Sequence, residues 1–405
     1  MTIDNEKHCK YAHIAQVVDT RFYKYLVSRK FAIKEDDLID GLFDEEEIKE
    51  LKVKATTHGR FNRKKLDIEL RAEEKREAEA RKSEELIAKV TDSMRPHYLN
   101  HMRRHIENIE HVINNLLKIS SSLGDILATA YNPNSTMKKM ADVLSINSEL
   151  SRKLIDIVNN HNFRKSIGRV NDDRKIENIQ AAIGYLGVNG FKAVLPFIIF
   201  KGVQKEFYQL FPGMNDKIWK YALSKAVCAH HILEEKGHEN PMLGYISAFV
   251  STLGVIAVYH QFYLSFEEVK FQKLEYYAEK KQFKIYDAIF VSEPDESVMS
   301  EMLIEFSATL PVKILEKLDL NIFPEVKNAI IEDANEIPIE ERSLLGKTLK
   351  QSISYSKFEL LRRAKFFSKD HLEPFLSNAG LNREEMKDLI SKNLRQLDLR
   401  QYIGK

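Results

Sequence analysis

Three histidines at helical spacing form the pattern in this chain that is most typical of a metal site. His97, His101 and His105 recur at i, i+4 and i+8, so they share one face of a helix. Imidazoles four residues apart can chelate zinc, but a zinc site also needs a third or fourth ligand from elsewhere. No cluster of Cys, His and Asp obviously supplies that ligand, and Arg103-Arg104 would repel a cation. The spacing therefore favours a polar surface stripe, with metal binding as the alternative.

Motifs for nucleophilic or nucleotide chemistry are missing. The chain has no G-x-S-x-G sequence and no glycine pattern of the Walker or dinucleotide-binding type. His230 and His231 are adjacent, and neighbouring helix residues point about 100° apart, so the two cannot chelate one ion together. These residues predict no catalytic group and no cofactor.

The composition indicates a folded and mainly helical chain. Its 405 residues exceed one typical domain, and a hydrophobic content of 43% suffices for a sizeable core. The 62 basic and 60 acidic residues nearly cancel, so no global field attracts nucleic acid or anionic lipid. Cys9 and Cys228 are too few and too distant for a secreted disulfide framework. The 15 glycines and 10 prolines suit helices better than a turn-rich sandwich.

We expect a cytoplasmic location without membrane association. Met1–Lys10 is polar and lacks the apolar segment of a secretory signal. A helix needs roughly 20 apolar residues to cross a bilayer. The longest apolar stretches, Val194–Phe200 and Ile246–Tyr259, are shorter than this or are interrupted by polar residues.

The first quarter of the chain is predicted to hold two units. Residues 1–58 form a small helical module, with helices over Tyr11–Arg29 and Asp36–Lys54. Residues 59–107 form a charged connector, in which i,i+4 pairs of opposite charge stabilise a solvated helix by a few tenths of a kcal/mol each. Interleaved glutamates argue against nucleic-acid binding by its basic runs. Pro96 is predicted to open the next helix, at or near its first position.

From residue 108 onward the helices carry the apolar faces of a packed core, and no convincing strand pattern appears. Ser135-Thr136 caps one of them, and Asn382 with Glu385 forms a capping-box-like start for the last. The predicted helices begin at Met137 and Leu150, and continue over 176–186, 191–200, 219–233, 242–259, 301–318, 324–332, 337–366 and 383–395. The predicted fold class is all-α, with a central domain over 108–335 and a C-terminal helical extension over 336–405.

Several short segments of the central domain carry a family resemblance through their order and spacing. They are Asn132–Ser135 with Met140–Leu144, Leu150–Leu154 with Val158–Asn160, Ile176–Gly187, Trp219 with Ala226 and Ala229, Phe249–Gly254, and Ile314–Ile330. On these residues the central domain resembles the HDOD family, a bacterial signalling relative of the metal-dependent HD hydrolases. The resemblance implies a multi-helix HDOD bundle with helical N- and C-terminal extensions.

The departures from the family pattern concern the metal-binding chemistry. Ser251-Thr252 stands where an HD hydrolase carries the His-Asp pair that holds metal. Tyr221 stands where a His is common after the Trp, and Ser307 lies near the place of a further His. Neutral hydroxyls bind divalent cations weakly, so the resemblance implies no metal and no hydrolase activity. These four residues could line a degenerate pocket, although Thr252 is expected to bond back to its own helix.

The resemblance implies a non-catalytic bacterial signal-transduction protein. It would act by binding a partner or small ligand, which shifts the packing between the domain and its extensions. Other signalling proteins are the expected partners, and homo-oligomerisation stays open.

Two alternatives remain. One is a metal-dependent nucleotide or phosphodiester hydrolase that uses the three histidines. The other is a nucleic-acid-associated regulator, which the net charge of +2 disfavours. Its basic face would comprise Lys347, Lys350, Lys357, Arg362, Arg363 and Lys365.

Two packing expectations follow from large apolar side chains. Trp219, the only tryptophan, is expected to be a largely buried core anchor. The C-terminal extension is expected to dock on the central domain, because its apolar side chains would otherwise expose a patch larger than soluble monomers usually carry.

Overall fold

The fold is all-α, as the sequence predicts. A computed structural model describes residues 2–32, 67–132, 134–169, 171–172, 174–203, 210–318, 323–392, 394 and 397–403. All regular structure within these ranges is helical. The predicted helix Asp36–Lys54 lies outside the described residues.

Two long helices precede the central bundle. Helix α1 covers Thr2–Val27 and is followed by the short α2, Arg29–Ala32. Helix α3 covers Asp67–Ile106. Within α3, residues 75–85 are all exposed, which agrees with a solvated connector.

Helix α3 corrects one prediction, because it runs through Pro96 instead of beginning there. A proline inside a helix costs about 3 kcal/mol through a lost hydrogen bond and a steric clash. Apolar burial offsets this cost, because Met94, Tyr98 and Met102 are almost completely buried on one face of α3. That face packs against the long helix that begins at Met242. Burial of three large side chains contributes more than the proline costs.

The central bundle follows the predicted order of helices. Its elements are α4 (Ile109–His111), a π-helical turn (Val112–Leu116), α5 (Leu123–Tyr131), α6 (Met137–Ser145), α7 (Ser148–Asn159), α8 (His161–Ser166), α9 (Ile179–Val203), α10 (Met214–Glu235), α11 (Met242–Glu279) and α12 (Phe283–Phe290). The Thr136 hydroxyl caps α6 by accepting a hydrogen bond from the Lys139 amide, as predicted. Gly187, with φ of 72°, divides α9 where a turn was expected.

Helices α10 and α11 form the centre of the bundle and pack closely against each other. The approach is close because Gly244 lies against the Ala229 carbonyl, and a Cβ at 244 would come within 2.7 Å of that oxygen. Helices α9 and α11 are each long and apolar enough to cross a membrane, but 61% and 89% of their most apolar windows are buried inside the protein.

The remaining helices complete the domain and form the C-terminal extension. They are α13 (Glu296–Phe306), α14 (Leu310–Lys317), α15 (Pro324–Ala334), α16 (Leu344–Ala364), α17 (Leu372–Ser377) and α18 (Arg383–Ser391). Helix α16 begins later than the predicted residue 337, because the Ser343 hydroxyl caps it by accepting from the Gly346 amide. At α18, Asn382 and Glu385 form the predicted capping box.

The C-terminal extension is docked, as predicted. Helix α16 packs against α10, and Leu349 and Leu361 are fully buried in a core shared with the central domain. Two histidines of α10 add polar contacts. His231 Nε2 lies 2.7 Å from Asp388 Oδ2, and His230 Nε2 contacts the Tyr402 hydroxyl.

Candidate functional site

Three of the four residues that the family resemblance predicts to form a degenerate HD site line one large cleft. Tyr221 on α10, Ser251 on α11 and Ser307 after α13 all face a cavity of about 1070 Å³. Gly254 brings two of these elements together, since a Cβ at 254 would overlap the Ser307 carbonyl oxygen. This volume slightly exceeds the usual range for small-molecule sites, which is roughly 300–1,000 Å³.

Thr252 does not contribute to the cleft. Its side chain is fully buried, and its hydroxyl donates to the Ala248 carbonyl at 2.9 Å. This is the back-bonding that the sequence favoured for it. Of the Ser251-Thr252 pair, only Ser251 is placed to meet a ligand.

Lys225 also lines the cleft, and the sequence motifs do not single it out. Its ammonium donates to Ser251 Oγ at 2.6 Å, and its Nζ lies 4.6 Å from the centre of the Tyr221 ring. The side chain is 1% exposed. A signal was available, because Lys225 lies four residues after Tyr221 and shares a helical face with Ala222 and Ala229. A lysine on such a buried face needs an explanation.

Burial determines the ionisation of the groups on the cleft floor. Desolvation lowers the pKa of Lys225 to about 7, opposed by the negative charge of Asp333. The same burial raises the pKa of the Tyr221 hydroxyl well above its usual value. The floor therefore presents a lysine that titrates near neutral pH beside a phenol that stays protonated.

Helix α1 covers one side of the cleft. The Tyr23 hydroxyl lies 3.1 Å from Ser307 Oγ, and Asp19 accepts a hydrogen bond from Lys357 of α16 at 2.9 Å. Burial lowers the pKa of Lys357, but Asp19 and the nearby tyrosines outweigh it and raise the pKa overall. Helix α1 is thus tied to the central domain and to the C-terminal extension at once.

The segment between α15 and α16 forms another side of the cleft. Arg342 is buried, donates to the Ile337 carbonyl at 2.7 Å and pairs with Asp333 at 3.2 Å. Glu336 and Glu340 line the cleft from the exposed part of this segment. The cleft is therefore bounded by three parts of the chain: α1, the central domain and the C-terminal extension.

The three histidines of the sequence-predicted metal candidate do not come together. His97 is exposed, whereas His101 and His105 stack with their ring centres 4.1 Å apart. His111, from the next helix, lies beside His105 at 5.4 Å.

Hydrogen bonds to α11 occupy two of these imidazoles. His101 Nδ1 lies 3.1 Å from Ser265 Oγ, and His111 Nε2 lies 2.8 Å from Gln261 Oε1. His105 Nδ1 in turn lies 2.9 Å from the His101 carbonyl. Across the described ranges, no three His, Cys, Asp or Glu residues are arranged to hold a metal.

A metal of the kind that HD hydrolases use does not fit the cleft floor either. The available donors around Ser251 are neutral hydroxyls, which are weak ligands for divalent cations. The ammonium of Lys225 lies 2.6 Å from Ser251 Oγ, so a divalent cation there would meet a buried positive charge.

The basic face suggested for nucleic-acid binding is not continuous. Lys357 is buried against Asp19, and Arg362 and Arg363 both pair with Glu359. Lys350 faces the cleft. Four of the six basic side chains thus lie in different environments.

Comparison with known proteins identifies the domain. The family model described as the HDOD domain matches residues 116–289, which lie inside the predicted 108–335. The chain contains an HDOD domain. Within it, helices α5 to α12 supply Tyr221, Lys225 and Ser251, whereas Ser307 follows the matched range. No curated protein matches this chain.

Solved structures with similarity to the chain include three bacterial proteins. A proposed phosphohydrolase from Shewanella amazonensis SB2B has 13% identity and a TM-score of 0.44, and the match covers 73% of this chain and 98% of that one. An HDOD domain protein of unknown function from Geobacter sulfurreducens has 14% identity and a TM-score of 0.39, covering 71% and 93%. A proposed signal transduction protein from Marinobacter aquaeolei VT8 has 13% identity and a TM-score of 0.43, covering 74% and 64%.

Proposed function

We propose that this protein is a non-catalytic regulator of bacterial signal transduction, which acts in the cytoplasm by binding a small ligand or another signalling protein through its HDOD domain. The observation that carries the proposal is the 2.6 Å contact between Lys225 Nζ and Ser251 Oγ. A buried ammonium beside a hydroxyl disfavours the divalent cation on which HD hydrolase chemistry depends.

The position of the cleft supports a role in transmitting a signal. An occupant of the cleft would touch α1, the HDOD domain and the segment that leads into α16. A ligand that binds one packing of these parts more tightly than another shifts the population toward that packing. The changed surface of α1 or of the C-terminal extension would then be what a partner protein recognises.

Metal content and hydrolysis test the non-catalytic part of the proposal. The full chain is incubated with Mn²⁺ or Zn²⁺, dialysed and submitted to elemental analysis, and turnover of bis(p-nitrophenyl) phosphate is followed with each metal. We expect far less than one metal per chain and no turnover above the buffer rate. Retention of about one or two metals per chain, or turnover that a chelator abolishes, would contradict the proposal.

A double variant separates the two hydrolase explanations in case metal is retained. His101→Ala with His105→Ala removes the stacked imidazoles and leaves the cleft unchanged. Metal that persists in this variant would have to be held elsewhere, whereas metal that disappears would support the histidine-based alternative.

A further inference from the structure

Some of the charged side chains that line the cleft form ion pairs, whereas Lys225 does not. Asp19 is paired with Lys357, and Asp333 with Arg342. Lys225 makes no ion pair with any carboxylate in the part of the chain that the structure describes; its polar contact is the Ser251 hydroxyl. The least exposed charged side chain of the cleft is therefore a cation without an ion-pair partner among the described residues.

An unpaired buried ammonium is unfavourable for folding. Buried charges are normally paired, because removal of an ion from water costs free energy that only a counter-charge or several hydrogen bonds recover. Here one hydroxyl and one aromatic ring surround the amine. Strongly perturbed groups of this kind, when they lie in a cleft, are typical of binding sites.

We propose that the cleft binds a small organic molecule that carries one phosphate or carboxylate group, and that this group forms the missing ion pair with Lys225. The inference rests on the proposed function, in which the HDOD domain acts by binding. Lysine is a compact point charge that suits either anion. The Ser251 hydroxyl donates to the Ala248 carbonyl at 2.9 Å, so the ammonium of Lys225 is the group of this pair that donates to the ligand.

The rest of the cleft sets limits on the ligand. A volume of about 1070 Å³ is far larger than a bare anion fills, so an organic body must accompany the charged group. The side chains of Ala15 and Ile304 offer this body an apolar surface. Lys350 also faces the cleft, and the exposed carboxylates of Glu336 and Glu340 offset its charge. A ligand with a single anionic group at Lys225 fits these limits.

Binding of simple aromatic anions tests the inference. Phenyl phosphate, benzoate and the neutral benzamide are titrated into the full chain by calorimetry, at pH 6.5 with excess chelator. This pH lies below the pKa of about 7 of Lys225, so that the amine is mainly charged. We expect saturable binding of one or both anions and none of benzamide. A preference between the two anions tells phosphate from carboxylate recognition.

Two lysine variants locate the site. Lys225→Met should weaken anion binding at least tenfold. Lys270→Met removes another partly buried lysine, which donates to the Ser292 carbonyl far from the cleft lining, and should leave binding unchanged. Circular dichroism checks the folding of both, and Lys225→Gln replaces Lys225→Met if the latter does not fold.

Two results would overturn the inference. One is an absence of anion binding to the wild-type chain. The other is equal binding to the wild type and to a folded Lys225 variant, which would mean that an adventitious additive only had been detected. Neither result affects the proposed function, which fails instead if metal-loaded protein hydrolyses phosphoesters.

Discussion

At the scale of single residues, the ionisation of Lys225 links stability to pH. Desolvation lowers its pKa to about 7 in the folded chain, whereas an unfolded lysine has a pKa near 10.4. Below pH 7 the amine is charged in both states, so the folded chain bears the full cost of the buried charge. Between pH 7 and about 10.4 the unfolded chain binds more protons, and the free energy of unfolding rises with pH through this window.

Lys225→Met should therefore stabilise the protein at low pH. Methionine fills a similar volume without a charge, and we expect the free energy of unfolding to rise by about 1–3 kcal/mol at pH 6, since one pKa unit corresponds to about 1.4 kcal/mol. Urea denaturation of variant and wild type at pH 6 and pH 9.5 measures this. The gain should shrink at pH 9.5. A variant less stable than the wild type at pH 6 would show that the ammonium is a structural contact and not a strained group.

At the scale of elements, the attachment of α1 includes a charge pair that is buried on one side. The Lys357 side chain is 6% exposed, while Asp19 is 37% exposed. Loss of the Asp19 carboxylate would leave a second unpaired ammonium, that of Lys357, near Lys225. Removal of one partner from a buried ion pair destabilises a protein far more than removal of one partner from an exposed pair.

Asp19→Asn should loosen α1. We expect a loss of about 1–3 kcal/mol in the free energy of unfolding. Hydrogen exchange of peptides from residues 11–27 should accelerate more than exchange in α10. The matched control is Asp216→Asn, which breaks an exposed i,i+4 pair with Lys220 and should cost less than about 0.5 kcal/mol. Equal effects of the two variants would mean that the pair does not hold α1.

The cleft also depends on the close approach of α11 to the chain after α13. Gly254 allows it, because the Ser307 carbonyl occupies the place of a Cβ at 254. Gly184, also in a helix, has no atom within 4 Å of its would-be Cβ. The same change of glycine to alanine therefore meets a tightly packed site at residue 254 and an open site at residue 184.

Gly254→Ala and Gly184→Ala should have opposite effects. The first should destabilise the protein by about 1–3 kcal/mol through overpacking. The second should be neutral or stabilise by up to about 1 kcal/mol, since alanine is the better helix former. Thermal unfolding of both variants measures the difference, and tolerance of alanine at 254 would contradict the close contact between α11 and Ser307.

At the scale of the whole molecule, the C-terminal extension docks partly through His230, a histidine that is buried in its neutral form and contacts Tyr402. Desolvation, with the neighbouring His231, lowers the pKa of His230 to about 4, compared with about 6.5 in an unfolded chain. As pH falls from 6.5 toward 4, the unfolded chain binds a proton that the folded chain does not. The stability that the neutral imidazole contributes is present above pH 6.5 and is lost through this window.

Acidification should accordingly loosen the docked extension. We expect the His230 contribution to fall by about 2 kcal/mol between pH 7 and pH 5. Urea midpoints at the two pH values, and limited proteolysis near residue 340, report the change. His230→Gln lacks the titrating group and serves as the reference. Carboxylates that titrate in the same pH range affect both proteins equally, so their contribution cancels when the two pH dependences are subtracted. A wild type no more sensitive to pH than this variant would exclude His230 as the cause.

The local sequence determined the helices, their caps and the family. Apolar spacing, the Thr136 cap, the capping box at Asn382 and the break at Gly187 are all set by residues close together in the chain, so they can be predicted without the fold. The prediction that Ser251-Thr252 replaces a His-Asp pair likewise rests on residue type alone and on the family resemblance.

The tertiary structure alone decided which residues meet at the cleft. Lys357 and Asp19 are 338 residues apart and Tyr23 and Ser307 are 284 apart, and no local pattern predicts such pairs. The same holds for Trp219, which packs on Phe197 and Phe200 at the edge of the core and is partly rather than fully buried. Burial depends on what other helices cover. The unpaired charge of Lys225 exists only because α1 and the C-terminal extension close over a lysine that an isolated helix would leave in water.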